Sequence, residues 1–580
     1  MPKRLADWIS ESWHENAFLL ATLILNRSKL DLYLEEQVAL LHPKTHPGGL
    51  GPGRPPVRTY TIRAMLAAEI MCLVEQRQVT LTNILHVIWH MTPDQLDDVG
   101  MTGQLSDTAR ARMSHLGFRS NEYDRLSRRY DEMFTPIDPS PHPRMIREKN
   151  AVRMRRVAGL SADRKAALDN CEERLVHAHN LIIAAGCEGA RPKHYRGHIQ
   201  LDETWQDAWA VTTGTGTRMD KLGSADADAA WRYDKSNHFS VWVHMFVLTE
   251  MATMPHERRV PNVITGFRAR RGRGETDVEA AVAAVKMHIS NGFGPQNNRP
   301  ARIYTDMGYS TKVKFAPEML SLRYLCVAPN KQKPPKRGYA LPEGAFLIGG
   351  KLCCAAARRY LQYRFLEPID IDNATPAELR NRQDIIDEIT PFIMPTNGVP
   401  HVYPPGHRLE GSVAYPVICP GAAKILDCAL VPDSADPTGR RPIAYDTPPI
   451  DTPHDELPTV CQTTYSRIIV PAAYMKHIDQ YLRGSFEHAE HMMVNRSANE
   501  RPNGSVKRRD IGGFKRDSIM MMGRARVSVA FALVCALVSI AEMEKIAENP
   551  GSVDLLPHTP RVAAARRRDA IIAAERLRNP

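Results

Sequence analysis

The stretch HIQLDETWQDAWAV, His198 to Val211, decides the fold. Successive side chains of a β-strand point to opposite faces. Ile199, Leu201 and Trp205 therefore share one face with Glu203 and Asp207, while Asp202 turns to the other. The apolar face predicts a strand held in a packed core. Carboxylates in the middle of such a strand then need a reason to be there.

The chain downstream keeps the strand rhythm. HFSVWVHMFVLTE (His238–Glu250), RVPNVITGF (Arg259–Phe267), ARIYTDMGY (Ala301–Tyr309) and LRYLCVAP (Leu322–Pro329) are rich in β-branched and aromatic residues. Between the third and fourth, TDVEAAVAAVKMHIS predicts a helix with Val278, Val282, Val285 and Ile289 on its apolar face. The expectation is an α/β core over 196–329, a mixed five-stranded sheet with flanking helices.

Residues 330–473 break the rhythm with prolines and predict an insertion, with one helix announced by Thr375, Pro376 and Glu378. Helical character resumes over 474–545 as the second part of the core, and 546–580 forms a basic tail. Upstream, 1–145 predicts an all-α N-terminal domain and 146–195 a helical connector. Two short helices capped by Thr61 and Thr80 are compatible with a helix-turn-helix, and Arg110, Arg112 and Arg119 follow them.

Seventy-six Lys and Arg against 65 Asp and Glu give a net charge of +11, a balance suited to polyanions and to nucleic acid first. The segment Arg496–Arg526 carries nine basic and three acidic residues. Lys507, Arg508, Arg509, Lys515 and Arg516 at its centre predict a surface loop that tracks DNA phosphates. Trp205, Trp209 and Trp242 are stacking candidates, although strand tryptophans are more often core. Ten scattered cysteines without a secretory leader point to a reducing cytoplasm. Cys353, Cys354, Cys419 and Cys428, with His401 and His407, form a loose zinc candidate without any C-x-x-C pair. The apolar run Val527–Ala541 is short of the ~20 residues a membrane span needs, so it predicts a buried core helix and no membrane partner.

Three carboxylates stand out: Asp202 in the first strand, Asp306 at the end of the fourth, and Glu487 on the late helix, with Glu490 as an alternative third. Acids gathered at strand ends repel one another and persist mainly when a cation joins them. Oxygen donors suit Mg²⁺ or Mn²⁺, and two such ions would serve phosphoryl transfer.

The order of these pieces resembles the DDE transposases of bacterial insertion sequences. It rests on LDET (Leu201–Thr204), DKSNHFSVWVHM (Asp234–Met245), TDMGYS (Thr305–Ser310) and RGSFE (Arg483–Glu487), and spans roughly 199–540. The resemblance implies an RNase H-like core and metal-dependent cleavage and strand transfer, with Asp202, Asp306 and Glu487 as metal ligands. It also implies a phosphate contact for Arg483, double-stranded DNA partners (terminal inverted repeats and target), a homodimer assembled on DNA, and a place at the cytoplasmic nucleoid. In part of that family a tyrosine stands three positions before the arginine and a lysine seven after the glutamate. Here Tyr481 is two before Arg483, and Val494 occupies the lysine position.

Overall fold

The computed structural model describes residues 13–41, 60–102, 105, 107–208, 224–234, 239–255, 257, 259–271, 274–297, 299–329, 338–362, 374–492 and 518–548. It is a mixed α/β structure with a helical N-terminal region. Helices α1 (Trp13–Ser28), α2 (Leu30–Leu41), α3 (Ile62–Val74), α4 (Leu81–His90), α5 (Pro93–Asp98), α6 (Asp107–Arg112), α7 (Leu116–Phe134), α8 (Asn150–Ala158) and α9 (Ala162–Cys187) form that region. Thr61 and Thr80 cap α3 and α4 through their hydroxyls, as their positions predict. Every residue of α3 except Arg63 is buried, because neighbouring helices enclose it on all sides. Its one buried acid, Glu69, accepts a hydrogen bond from the Tyr130 hydroxyl at 2.9 Å.

The sheet has six strands rather than five: β1 (Ile199–Asp207), β2 (Ala230–Asp234), β3 (Phe239–Met251), β4 (Ile264–Ala269), β5 (Ala301–Thr305) and β6 (Tyr324–Val327). The additional strand, β2, lies in a segment too short and too polar to show a period. The order is β2-β3-β1-β5-β6, with β4 also paired to β3. β1 runs antiparallel to β3 from Ile199↔Met251 to Asp207↔Val243, and parallel to β5 up to Leu201↔Thr305. β6 runs parallel to β5.

Helix α10 (Asp277–His288) covers the face carrying Ile199, Leu201, Val247 and Ile303. It packs through Ala280, Ala281, Ala284 and Val285, while Val278 and Val282 are only partly buried. The contact stripe is thus rotated from the predicted valines to the small residues, which let the helix lie close to the strands. A short helix α11 (Met307–Ser310) follows β5, and α12 (Phe315–Ser321) leads into β6.

The opposite face carries Phe246 and Leu248, which share one core with the N-terminal helices and with the last described helix. The insertion holds two three-stranded sheets and its own core, which includes Phe346, Phe392, Tyr360 and Val413. Its helix α13 (Pro376–Ile389) has the predicted capping box of Thr375 and Glu378.

The last helix, α14 (Arg524–Glu548), is long and apolar enough to cross a membrane, yet 83% of its apolar window is buried inside the protein. Phe531 stacks on Phe246 with ring centroids 4.1 Å apart. Its contact with α9 is equally close: a side chain at Gly186 would bring its Cβ within 2.6 Å of the Ala536 Cα. One buried ion network ties the layers together. Glu172 of α9 meets Arg524 of α14, Arg268 of β4 at 3.0 Å and Arg271 at 3.3 Å.

Candidate functional site: carboxylates where two parallel strands part

β1 and β5 are neighbouring parallel strands whose last paired residues are Leu201 and Thr305. Asp202 and Asp306 are the next residue on each. They stand level, across a strand spacing of about 4.8 Å. Asp202 is half-buried and its Oδ1 accepts the Glu203 N–H at 2.8 Å. Asp306 is exposed, and its Oδ1 accepts the Tyr309 N–H at 3.2 Å, which starts α11. Gly308 leaves room for that carboxylate, since a Cβ there would sit 3.0 Å from Oδ1.

Two further acids join them. Tyr309, 3% exposed, is pushed well above the usual phenol range by burial and then by the negative charges of Glu203, Asp306, Asp202 and Asp277. All four carboxylates therefore act on one buried ring. Glu203 sits 3.4 Å from Arg232 and 3.8 Å from Arg270. Burial raises its pKa; the two arginines oppose this, and Asp277 and Asp306 add to it. Asp277 differs: burial raises it, but Lys312 at 2.8 Å and Arg270 at 2.6 Å win and hold it below the usual range.

Sequence reasoning missed Glu250. It pairs across from Gln200, on the same face as Asp202, and is 3% exposed. Burial and then Asp202 push its carboxyl well above the usual range, and its Oε1 has no hydrogen-bond partner. A glutamate inside the apolar run FVLTEM was its only signal.

Glu487 is placed elsewhere. The sequence predicts continuous helix from about Ala473, whereas residues 476–485 are irregular and helix covers only 486–492. Gly484, at φ 85°, breaks the chain, and Ser485 caps the new start by accepting the His488 N–H at 3.1 Å. Glu487 is exposed there, within electrostatic reach of Lys351 and Tyr481. The segment lies over β5 on Asp202's side of the sheet, where His491 hydrogen-bonds Tyr304 at 2.8 Å. His488 turns to the Ala328 carbonyl, so the two histidines have separate partners. Among the described residues no group of three or more His, Cys, Asp or Glu side chains is gathered closely enough to hold a metal ion. Asp202 and Asp306 are brought together; Glu487 is not drawn in with them.

Arg483 is 8% exposed, with Nε 3.2 Å from Asp479 and a second donor to the Ile478 carbonyl. Asp479 also accepts the Tyr481 N–H, so this pair organises the loop ahead of Glu487. Lys507, Arg508, Arg509, Lys515 and Arg516 lie outside the described residues, as does Trp209. Arg110 donates to the Trp89 and Met91 carbonyls and closes the end of α4. Trp205 lies under Arg232 at 4.0 Å, and Trp242 is buried. In the insertion, Cys353, Cys419 and Cys461 all act on Cys354, and Cys419 and Cys428 act on Cys461, so Cys461 joins the predicted cysteines. Burial pushes the Cys461 thiol up to about 12.

Comparison with protein-family models, with curated proteins and with solved structures finds no match to this chain.

Proposed function

We propose that this protein is a DNA strand-transfer enzyme of the DDE transposase type, built on an RNase H-like core. One observation carries the reading: Asp202 and Asp306 stand level, each the first residue past the last β1–β5 pair, Leu201↔Thr305, on adjacent parallel strands of a mixed sheet. Ligand sites of α/β sheets gather at strand ends.

By donor chemistry the acids suit a hard divalent cation, although the described residues do not gather three of them around one point. The set is made of carboxylate oxygens, and the buried, unpartnered Oε1 of Glu250 adds one on Asp202's face. When bound, Mg²⁺ or Mn²⁺ ions would activate a water or 3′-hydroxyl and stabilise the leaving oxygen. Asp202 and Asp306 would hold the cation, with Glu487 as the third acid of the proposed set. Arg483 fixes the loop that carries it. The net charge of +11 favours the DNA partner, with the basic residues around 507–516 as its phosphate contacts. Assembly as a homodimer on paired ends, in the cytoplasm at the nucleoid, belongs to the same proposal.

The test uses full-length protein, Mg²⁺ and a linear duplex carrying the DNA that flanks its reading frame. Nicked and joined products are expected, and Asp202→Asn and Asp306→Asn lose both while still retarding the duplex in a gel. Cleavage that survives either change defeats the assignment, and cleavage without joined product marks a nuclease. The position of Glu487, apart from the strand acids, favours a second reading, a DNA-binding protein that keeps this fold without the chemistry. Binding without cleavage in Mn²⁺ would establish it.

A further inference from the structure

A cavity of about 560 Å³ lies between α8, α9, the Pro139–His142 segment and the N-terminus of α14, away from the strand acids. Pro139, Pro141, Leu168, Ala229 and Trp242 give it apolar walls. At its mouth Met154 and Val157 are 49% and 44% exposed, apolar side chains left facing water.

The charges around it are matched, with one exception. Glu172 is held by Arg524 and Arg271, and Asp169 faces Arg271 at 3.7 Å. Asp228 accepts the Ser140 hydroxyl at 2.7 Å and the Arg524 N–H at 3.2 Å. Arg153 is the exception: Glu148, Asp228 and Asp226 act on it, but from beyond ion-pair distance, and burial outweighs them. It is 7% exposed, its Nε is buried without a hydrogen-bond partner among the described residues, and one terminal nitrogen donates to the Ser224 and Ile146 carbonyls. Among the described residues no carboxylate lies within ion-pair distance of it. A guanidinium cannot shed its proton to relieve such burial, so its charge calls for an anion. Mainly apolar walls with a few placed charges are what a small-molecule site of this size presents.

We propose that this cavity binds a small amphipathic organic anion, its carboxylate paired with Arg153 and its apolar body against Trp242 and the Pro139–Pro141 segment. Such a ligand would clamp α8 and α9 to the strand carrying Trp242 and to α14. It would bind the native state alone and so stabilise it.

The probe is 2-naphthoate, titrated into the full-length protein by calorimetry and by tryptophan fluorescence, with the neutral 2-acetylnaphthalene as control. Saturable naphthoate binding, at least tenfold tighter than the ketone, is expected. Arg153→Gln should weaken naphthoate at least tenfold and leave the ketone unchanged. Ala158→Trp, at the exposed mouth, should block both while the thermal midpoint holds. If Arg153→Gln fails to fold, Ala158→Trp and the ketone comparison decide. Equal affinity for the two probes, no naphthoate binding, or undiminished naphthoate binding in either folded variant overturns the proposal.

Discussion

Two groups of charged side chains sit on this sheet with opposite balance. Between α9, β4 and α14, Glu172 is surrounded by Arg524, Arg268 and Arg271. Burial raises its carboxyl, but the arginines bring it down to about 2. Where β1 and β5 part, Asp202, Glu203, Asp277 and Asp306 all bear on Tyr309, and burial with neighbouring acids drives Glu203 and Glu250 upward. A matched network is what holding layers together requires. The strand group is matched only in part, by Arg232, Arg270 and Lys312, and a chain keeps such an excess of acid where a cation or substrate completes it.

The largest effect that sharpens this contrast is on chemistry. Asp202→Asn or Asp306→Asn should lower strand cleavage about 10⁴-fold, ~5.5 kcal/mol in barrier, with the melting midpoint unchanged or raised; a drop in midpoint would make these acids structural. Glu172→Gln should do the reverse, with a loss of ~3–5 kcal/mol in denaturant unfolding from breaking a buried pair. The folded pKa of Glu172 lies below its unfolded value, so its contribution is present above about pH 4.5 and fades as pH falls toward 2.

Glu69 tests a third balance. Burial lifts its carboxyl to about 7, against the Tyr130 hydrogen bond and Arg526. Stability tied to its proton is present below pH 4.5 and lost as pH rises through 7. Glu69→Gln should therefore gain ~3 kcal/mol at pH 8 and flatten the pH profile between 4.5 and 7. Wild type that gains nothing over the variant in acid would contradict this.

Two smaller effects return to the strand acids. Mg²⁺ at ten times its dissociation constant should stabilise wild type by ~1.4 kcal/mol in thermal melts and leave an Asp202→Asn, Asp306→Asn double variant unmoved. Gly308→Ala should crowd the Asp306 carboxylate and slow cleavage up to about tenfold, ~1.4 kcal/mol, without moving the melting midpoint.

Much of the sheet was legible because strands of period two with β-branched residues announce themselves, and Asp202's face followed from counting alone. The caps at Thr61, Thr80 and Thr375 were legible for the same reason, since their signals are local. β2 was not, because an alanine and four polar or aromatic residues gain their strand from pairing with β3. The packing stripe of α10 escaped because valines look more apolar than alanines, whereas close approach to a sheet rewards small side chains. Glu250 and Arg153 escaped because an unmatched buried charge is defined by neighbours far along the chain. The break at Gly484-Ser485 was written in the sequence, but the i,i+4 ladder of Asp479, Arg483, Glu487 and His491 argued for helix across it.

The centre of the shared core is the helix made last among the described elements. Residues of α14 pack against α3, α9 and the Phe246 face of the sheet, whose partners were synthesised hundreds of residues earlier. At translation rates of about 5–20 residues per second, the interval between Cys187 and Arg524 leaves those surfaces without their keystone for roughly 17 to 70 seconds. Ribosome-bound chains ending before Arg524 should therefore be held by chaperones and cut readily by protease, and chains extended past Glu548 should be released from both.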